Sequence, residues 1–389
     1  MKALSNRLNF WTQLIIGFLL AAILIAVQTG YEGALIYTES EKCKAEVIST
    51  DESSIISTGL IQSGEQICQL ELLDGKFKGE KVSGINLLSG SLENDKIYSA
   101  GDEALVVVSY NDGGITSVTM TDHYRVDKEI ILALMFVILL ILFAGKNGMF
   151  AVLSFVITVL MIWKILVPCY LKGMNPMWVG MGITVALTAV IIFLVYGVDK
   201  RTLTAFMGSM LGTVTTCIIG LIFTDLFKIH GAVMSYSETL LYCGYQHLNL
   251  TQIFTSGIFI GASGAMMDLS VDITSAVHEV IQKKPDISWK EAAKSGMNVG
   301  RAAMGTMTTT LLLAYSGGYI ALLMTFMAQG TPIMNILNYK YVASEILDTL
   351  IGSFGLVTVA PFTALMSGLL LTSGLRRLTQ INGQKYNFI

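Results

Sequence analysis

Long apolar runs dominate the chain, and one stretch near its start breaks the pattern. The runs lie at 10–27, 130–145, 149–171, 177–198, 203–227, 253–281, 296–327 and 341–375. Each is near or above the ~20 residues that a helix needs to cross a bilayer, although the second is short. They predict eight transmembrane helices. Run 296–327 would be roughly 48 Å long as one helix, too long for an upright span, so a break is expected at Ser316-Gly317-Gly318. Residues 43–127 alternate instead with a period of two, as in Ile67-Cys68-Gln69-Leu70-Glu71-Leu72 and Glu103-Ala104-Leu105-Val106-Val107-Val108. Turn signals at Asp74-Gly75, Lys78-Gly79, Gly101-Asp102 and Asn111-Asp112-Gly113-Gly114 separate these segments. Short strands at this spacing predict a small OB-like barrel. The expected fold is therefore an α-helical polytopic membrane protein of about eight spans, with a small all-β domain between the first and second.

Composition agrees. The 389 residues are 53% hydrophobic and 14% charged, with mean hydropathy +0.63, whereas soluble domains carry about a quarter charged residues. An ordinary cytosolic enzyme and a disordered chain are excluded, and a net charge of −3 argues against a nucleic-acid partner. Residues 28–127 hold 17 acids and 7 bases, a net of −10, and the other 289 residues hold 11 acids and 18 bases, a net of +7. Water is the solvent for the first group and lipid for most of the second. The expected domains are an anchor at 1–30, an extracytoplasmic β domain at 31–127 and a seven-helix membrane domain at 128–389. The poor small-x-small pattern at Ala26-Val27-Gln28 favours an uncleaved anchor over a signal peptide. Lys2, Arg7, Lys146, Lys200-Arg201, Lys283-Lys284, Lys290 and Arg376-Arg377 fall on one side of an eight-span topology. That side is expected to be cytoplasmic and to hold both termini, with residues 31–127 outside a bacterial cytoplasmic membrane.

Ionisable groups are costly in hydrocarbon and mark candidate sites. In the sixth span, Gly261, Gly264, Asp268, Asp272, Ser275 and Glu279 share a helical stripe about 80° wide. Two carboxylates one turn apart repel, so the pair is expected to hold a proton or share a cation, H⁺, Na⁺ or a divalent ion. Asp268 and Asp272 are the candidate metal ligands. The seventh helix opens at Ser288-Trp-Lys-Glu291, a capping box, and on it Glu291, Asn298, Gly305, Thr309 and Ser316 share a face. Arg301 lies about 60° aside and needs a carboxylate at membrane depth, from Asp268, Asp272 or Glu279, unless it snorkels to the interface. The candidate binding set is Asp268, Asp272, Ser275, Glu279, Asn298, Arg301 and Thr309. Glu345 and Asp348 open the last span, as interface residues or as the mouth of a polar path. Cys43 and Cys68 are able to pair in an oxidising compartment, and His230 and His247 lack an evident third ligand for a metal.

The run "GASGAMMDLSVDITSAVHEV" (261–280), followed by "SWKEAAKSGMNVGRAAMGTMTTTLLLAYSGG" (288–318), resembles the YibE/F-like family of multispanning bacterial membrane proteins. The "GD" before a hydrophobic strand and the "YRVDK" leading into the second span resemble its YibE-type member. The chain departs from the family after "NVGR", where an acid is expected and Ala302-Ala303 stand; this makes a partner for Arg301 on another helix more necessary. The resemblance implies a permease-like membrane protein and no assigned chemistry.

Three functions compete. The first is a permease with ion- or proton-binding carboxylates on the sixth span. The second is an accessory protein that binds a partner through the outer domain. The third is a Mg-dependent phosphotransferase, because Gly264-x3-Asp268-x3-Asp272 matches the second half of the CDP-alcohol phosphotransferase metal motif, whose first half is missing. No catalytic residue is assigned and no cofactor beyond a bound cation is expected. The expected partners are the lipid bilayer and a paired membrane protein of the same family or a second copy.

Overall fold

A computed structural model describes residues 2–31, 40–111 and 114–386, with side chains for 10–31, 40–111 and 114–372. Lys2, Arg7, Arg376 and Arg377, used above for orientation, lie outside the described side chains, as do turn residues Asp112 and Gly113. The chain divides into two compact units, 31–143 and 1–30 with 144–389.

The first unit is a closed five-stranded barrel in the order β1-β2-β3-β5-β4. Its strands are β1 (Ser40–Thr58), β2 (Ile61–Leu72), β3 (Lys81–Ser89), β4 (Glu103–Asn111) and β5 (Gly114–His123). The small barrel expected from turn spacing is thus present. β1 makes closure possible because it is long. Its first part pairs with β4, from Ser40↔Ser109 to Glu46↔Glu103, and its remainder pairs with β2 through register shifts after Val47 and Asp51. Such irregularities bend a strand from one partner to the next. β3 and β5 meet in parallel at Ile85↔Thr119. Alternation is clean: along β3, Gly84, Asn86 and Leu88 are buried and their neighbours are not. Lys44 joins Glu103 at 2.8 Å and Asp127 at 2.6 Å, tying β1 to β4 and to the segment that follows β5.

The barrel interior holds a polar triad. Gln66 donates to the Tyr98 carbonyl (2.8 Å) and accepts from the Tyr98 N–H (3.0 Å) and from Asn86 (3.1 Å). Gln66 and Asn86 are 0% and 1% exposed, so no water replaces a lost partner. Gln66→Leu is expected to destabilise the barrel by about 3 kcal/mol, because it orphans buried donors and acceptors as well as deleting bonds. Faster hydrogen exchange across β2 and β3 in the full chain is the measurement.

Cys43 and Cys68 both face this interior but do not pair. Register sets Cys43 against Val106 and Cys68 against Thr50, seven residues further along β1. Both thiols are free. Burial, helped by Glu41 and Asp74 at Cys43 and by Glu52 at Cys68, pushes each thiol up to about 11. Both are therefore expected to resist alkylation at pH 8 in the folded chain while exposed Cys243 reacts, as read by mass spectrometry of trapped adducts.

The second unit is helical. α1 (Lys2–Ala26) precedes the barrel, and α2 (Val126–Met161) crosses the division between the units. α2 leaves helical geometry at Gly145 (φ 55°, ψ −125°), a conformation that a residue with a Cβ does not readily adopt. A π turn at Ile162–Leu166 leads into α3 (Val167–Leu171). Next come α4 (Pro176–Tyr196), α5 (Lys200–Leu226), α6 (Ser237–Tyr242), α7 (Leu250–Lys283) and α8 (Trp289–Ser316). A 3₁₀ turn at Gly317–Tyr319, where the break was expected, precedes α9 (Ile320–Ala328), α10 (Ile333–Asn338) and α11 (Lys340–Tyr386).

Among the described residues, six helical stretches are long and apolar enough to cross a membrane, and Phe10–Ala26 is a shorter apolar one. The chain is a polytopic membrane protein with a β domain. The second and third expected spans fall together in Val126–Leu171, either side of Gly145.

α5, α7 and α11 pack tightly because small residues stand at their crossings. A Cβ at Gly208 would collide with Thr363, one at Gly355 with Thr216, and one at Gly212 would sit 2.9 Å from Val359. Hydroxyls bridge the same helices: Ser270 to Thr363 at 3.0 Å and Thr255 to Thr224 at 3.3 Å. Uncharged polar contacts of this kind join helices in lipid without burying an ion.

Candidate functional site

α7 starts at Asn249, whose side chain accepts from Gln252 N–H at 3.0 Å. Its apolar positions Ala262, Met266, Leu269, Ile273 and Val277 are 0–1% exposed, in one core with residues of α8 and α11. The opposite face carries the polar stripe. Gly261, Asp268, Asp272, Ser275 and Glu279 are all exposed on the chain. The helical phase inferred from sequence is therefore the phase in the structure.

Two neighbours flank the stripe. On one side the Tyr196 hydroxyl, at the end of α4, donates to the Val271 carbonyl at 2.7 Å and contacts the Ser275 hydroxyl. On the other, the Tyr315 hydroxyl of α8 lies 3.0 Å from where a Gly261 Cβ would be. On this face of α7 a Cβ at Gly257 or Gly264 would meet nothing within 4 Å. The acids thus stand on an exposed face of α7, met by Tyr196 of α4 at Ser275 and by Tyr315 of α8 at the Gly261 end. Near the Lys283 end, Arg201 pairs with Asp199 at 2.6 Å and stacks over Tyr196 at 4.9 Å. Burial raises the Asp199 carboxyl, but the Arg201 bond and the Lys200 N–H outweigh it and hold the group below its usual range.

α8 is fixed by the expected capping box: Ser288 Oγ accepts from Glu291 N–H at 3.3 Å, and Ser288 N–H donates to the Glu291 carboxylate at 3.1 Å. It packs on α7 through Gly296 and Gly300, where Ile273 and Val277 leave no room for a Cβ. Asn298, Arg301 and Thr309 are exposed on it. Among the described residues Arg301 makes no ion pair with Asp268, Asp272 or Glu279, and Glu279 binds Lys283 of its own helix at 2.8 Å. Thr308, Thr309 and Thr310 each donate to the carbonyl four residues back, at 2.9, 3.4 and 3.0 Å. The acids and Ser275 share one face, whereas Arg301 stands apart from them. Among the described residues no group of three or more His, Cys, Asp or Glu is placed to hold a metal.

Sequence reasoning missed the tyrosines. Tyr196 reads as an ordinary helix-end aromatic. Tyr315 and Tyr319 are four apart across the Gly317-Gly318 break, and that spacing beside two glycines was the available signal. Glu345 and Asp348 of α11 lie within electrostatic reach of both Tyr315 and Tyr319. Because Tyr315 also touches the Gly261 position, polar groups run from the start of α11 along the α7 stripe to Glu279.

A helical membrane domain with an ionisable stripe on one membrane-length helix, preceded by a β-barrel, defines the class. The chain belongs to the YibE/F-like family: the model for YibE/F-like protein matches residues 132–373. That match contains the whole stripe and begins after the barrel. Comparison with curated proteins and with solved structures returned no match.

Proposed function

We propose that the chain is a YibE-type membrane permease in which Asp268 and Asp272 bind a proton or a cation and couple it to passage of a small solute. The carrying observation is the pair of carboxylates one turn apart, exposed on one face of a membrane-length helix. Two such groups facing acyl chains would be costly, so this face meets water and is covered by a second copy or another family member. Ser275, with Tyr196, and Glu279 extend the path toward the Lys283 end, whereas Asn298, Arg301 and Thr309 lie on a different face of α8 and are not part of it. In this reading both termini are cytoplasmic, the barrel is OB-like and lies outside a bacterial cytoplasmic membrane, and bases at the Lys283 end face the cytoplasm.

Proteoliposomes holding the chain are expected to dissipate an imposed proton, Na⁺ or divalent-cation gradient faster than empty vesicles. Dissipation indistinguishable from empty vesicles for all three ions overturns the proposal. The barrel is a compact unit of its own, which favours partner binding as a second reading. Its mark would be loss of a co-purifying membrane protein on deletion of 43–127, with Asp268 and Asp272 dispensable. The phosphotransferase reading has less support, because a two-metal site needs more carboxylates than this stripe brings together.

A further inference from the structure

We propose that Glu345, Asp348 and Thr349 of α11, with Tyr319, form a binding site for one oxygen-preferring divalent cation, distinct from the Asp268–Asp272 pair of α7. The inference goes beyond the transport reading and does not rest on it.

Glu345 and Asp348 are three residues apart, so both carboxylates project from one side of α11. Glu345 Oε1 and Asp348 Oδ1 are both buried and, among the described residues, neither has a hydrogen-bond partner. No described Lys, Arg or His lies within ion-pair distance of either, and the nearest base in sequence, Lys340, stacks instead on Tyr341 at 5.0 Å. Buried carboxylate oxygens without donors are rare in folded proteins and imply something that completes them.

An independent observation points to a ligand. Thr349 is 7% exposed and its hydroxyl also lacks a partner. Many helical threonines of this unit return that hydroxyl to the carbonyl four residues back, as Thr184, Thr213 and Thr372 do, and among the described residues Thr188 and Thr349 leave it buried without a partner. At 100° per residue Thr349 lies about 40° from Glu345, on the stripe that also holds Asp348 and Gly352. Gly352 lets α8 come close: a Cβ there would be 2.9 Å from Leu311. Tyr319, in the turn after α8, lies within electrostatic reach of Glu345.

The donor set is oxygen only: two carboxylates, an aliphatic hydroxyl and a phenol. That set suits hard cations, and two acids match the charge of a divalent ion such as Mg²⁺, Ca²⁺ or Mn²⁺. A protonated pair is the competing state. It would still leave the Thr349 hydroxyl unpaired.

Tb³⁺ tests the site, because it takes oxygen ligands and its emission is sensitised by a tyrosine within a few ångströms. Full-length protein in detergent is expected to show tyrosine-sensitised Tb³⁺ emission with a component that Ca²⁺ or Mn²⁺ displaces. Glu345→Gln and Asp348→Asn are each expected to weaken that component at least about tenfold. Thr349→Val weakens it and Thr349→Ser retains it. Asp268→Asn leaves it unchanged, which separates this site from the transport reading. Elution as a single species on gel filtration confirms that each variant is folded, and Thr349→Ser against Thr349→Val remains decisive if the acid variants do not fold. Emission unaltered by both acid variants, or by the valine variant, overturns the proposal. So does absence of a displaceable component together with a protonated-acid infrared band lost in Glu345→Gln.

Discussion

Asp268→Asn and Asp272→Asn, made singly, are expected to yield folded protein in normal amounts and to reduce ion-driven flux in proteoliposomes to the level of empty vesicles. Folding is spared because neither side chain belongs to the packed face of α7. Both are exposed, and among the described residues neither takes part in an ion pair. Asparagine keeps the size and a carbonyl oxygen while removing the charge and the titratable proton. Flux is lost because two carboxylates one turn apart bind a cation or share a proton through their mutual repulsion, and one alone does not. Asp268→Glu restores the charge one methylene further out and is expected to recover part of the flux. Normal flux in both asparagine variants would remove the stripe from the mechanism.

Gly208→Val and Gly355→Leu are expected to do the opposite, abolishing the folded protein regardless of the acids. At Gly208 the added Cβ falls on Thr363, its backbone included, and at Gly355 on the Thr216 side chain and, at 2.8 Å, on the Met266 sulfur. Each insertion separates α11 from α5 at a point where Ser270, Thr363 and Met266 are 0% exposed. Overpacking a dense core costs about 1–3 kcal/mol or more, and a membrane interface held by close backbone approach has little else to offset it. Gly264→Ala and Gly305→Ala serve as contrasts, since a methyl at either meets open space. The readout is thermal unfolding in detergent: a large drop or no folded protein for the first pair, and a shift of no more than a few degrees for the second.

Much of this arrangement was legible in the sequence. The apolar runs marked the membrane helices to within a few residues, because lipid imposes a length and a polarity that little else imitates. The α7 stripe was legible because its period is set by the helix itself. The barrel was legible from alternation and turns, although its closure depends on bends within β1 that no residue type announces. What stayed hidden depends on contacts between distant segments. Tyr196 meets Ser275 and Tyr315 meets Gly261 only because α4 and α8 border α7. Arg301 illustrates the limit: its chemistry demands an acid, yet its angular position on α8 keeps it away from those of α7. Cys43 and Cys68 illustrate it too, since strand register alone separates two thiols that share one interior.

The backbone at Gly145 interrupts the long apolar stretch Val126–Leu171. Without it, Val126–Leu171 would be an unbroken rod of 46 residues, about 69 Å long, against a hydrocarbon slab of roughly 30 Å. One achiral residue therefore breaks that rod, and a side chain there would oblige a cylinder twice the thickness of its solvent to find somewhere else to bend.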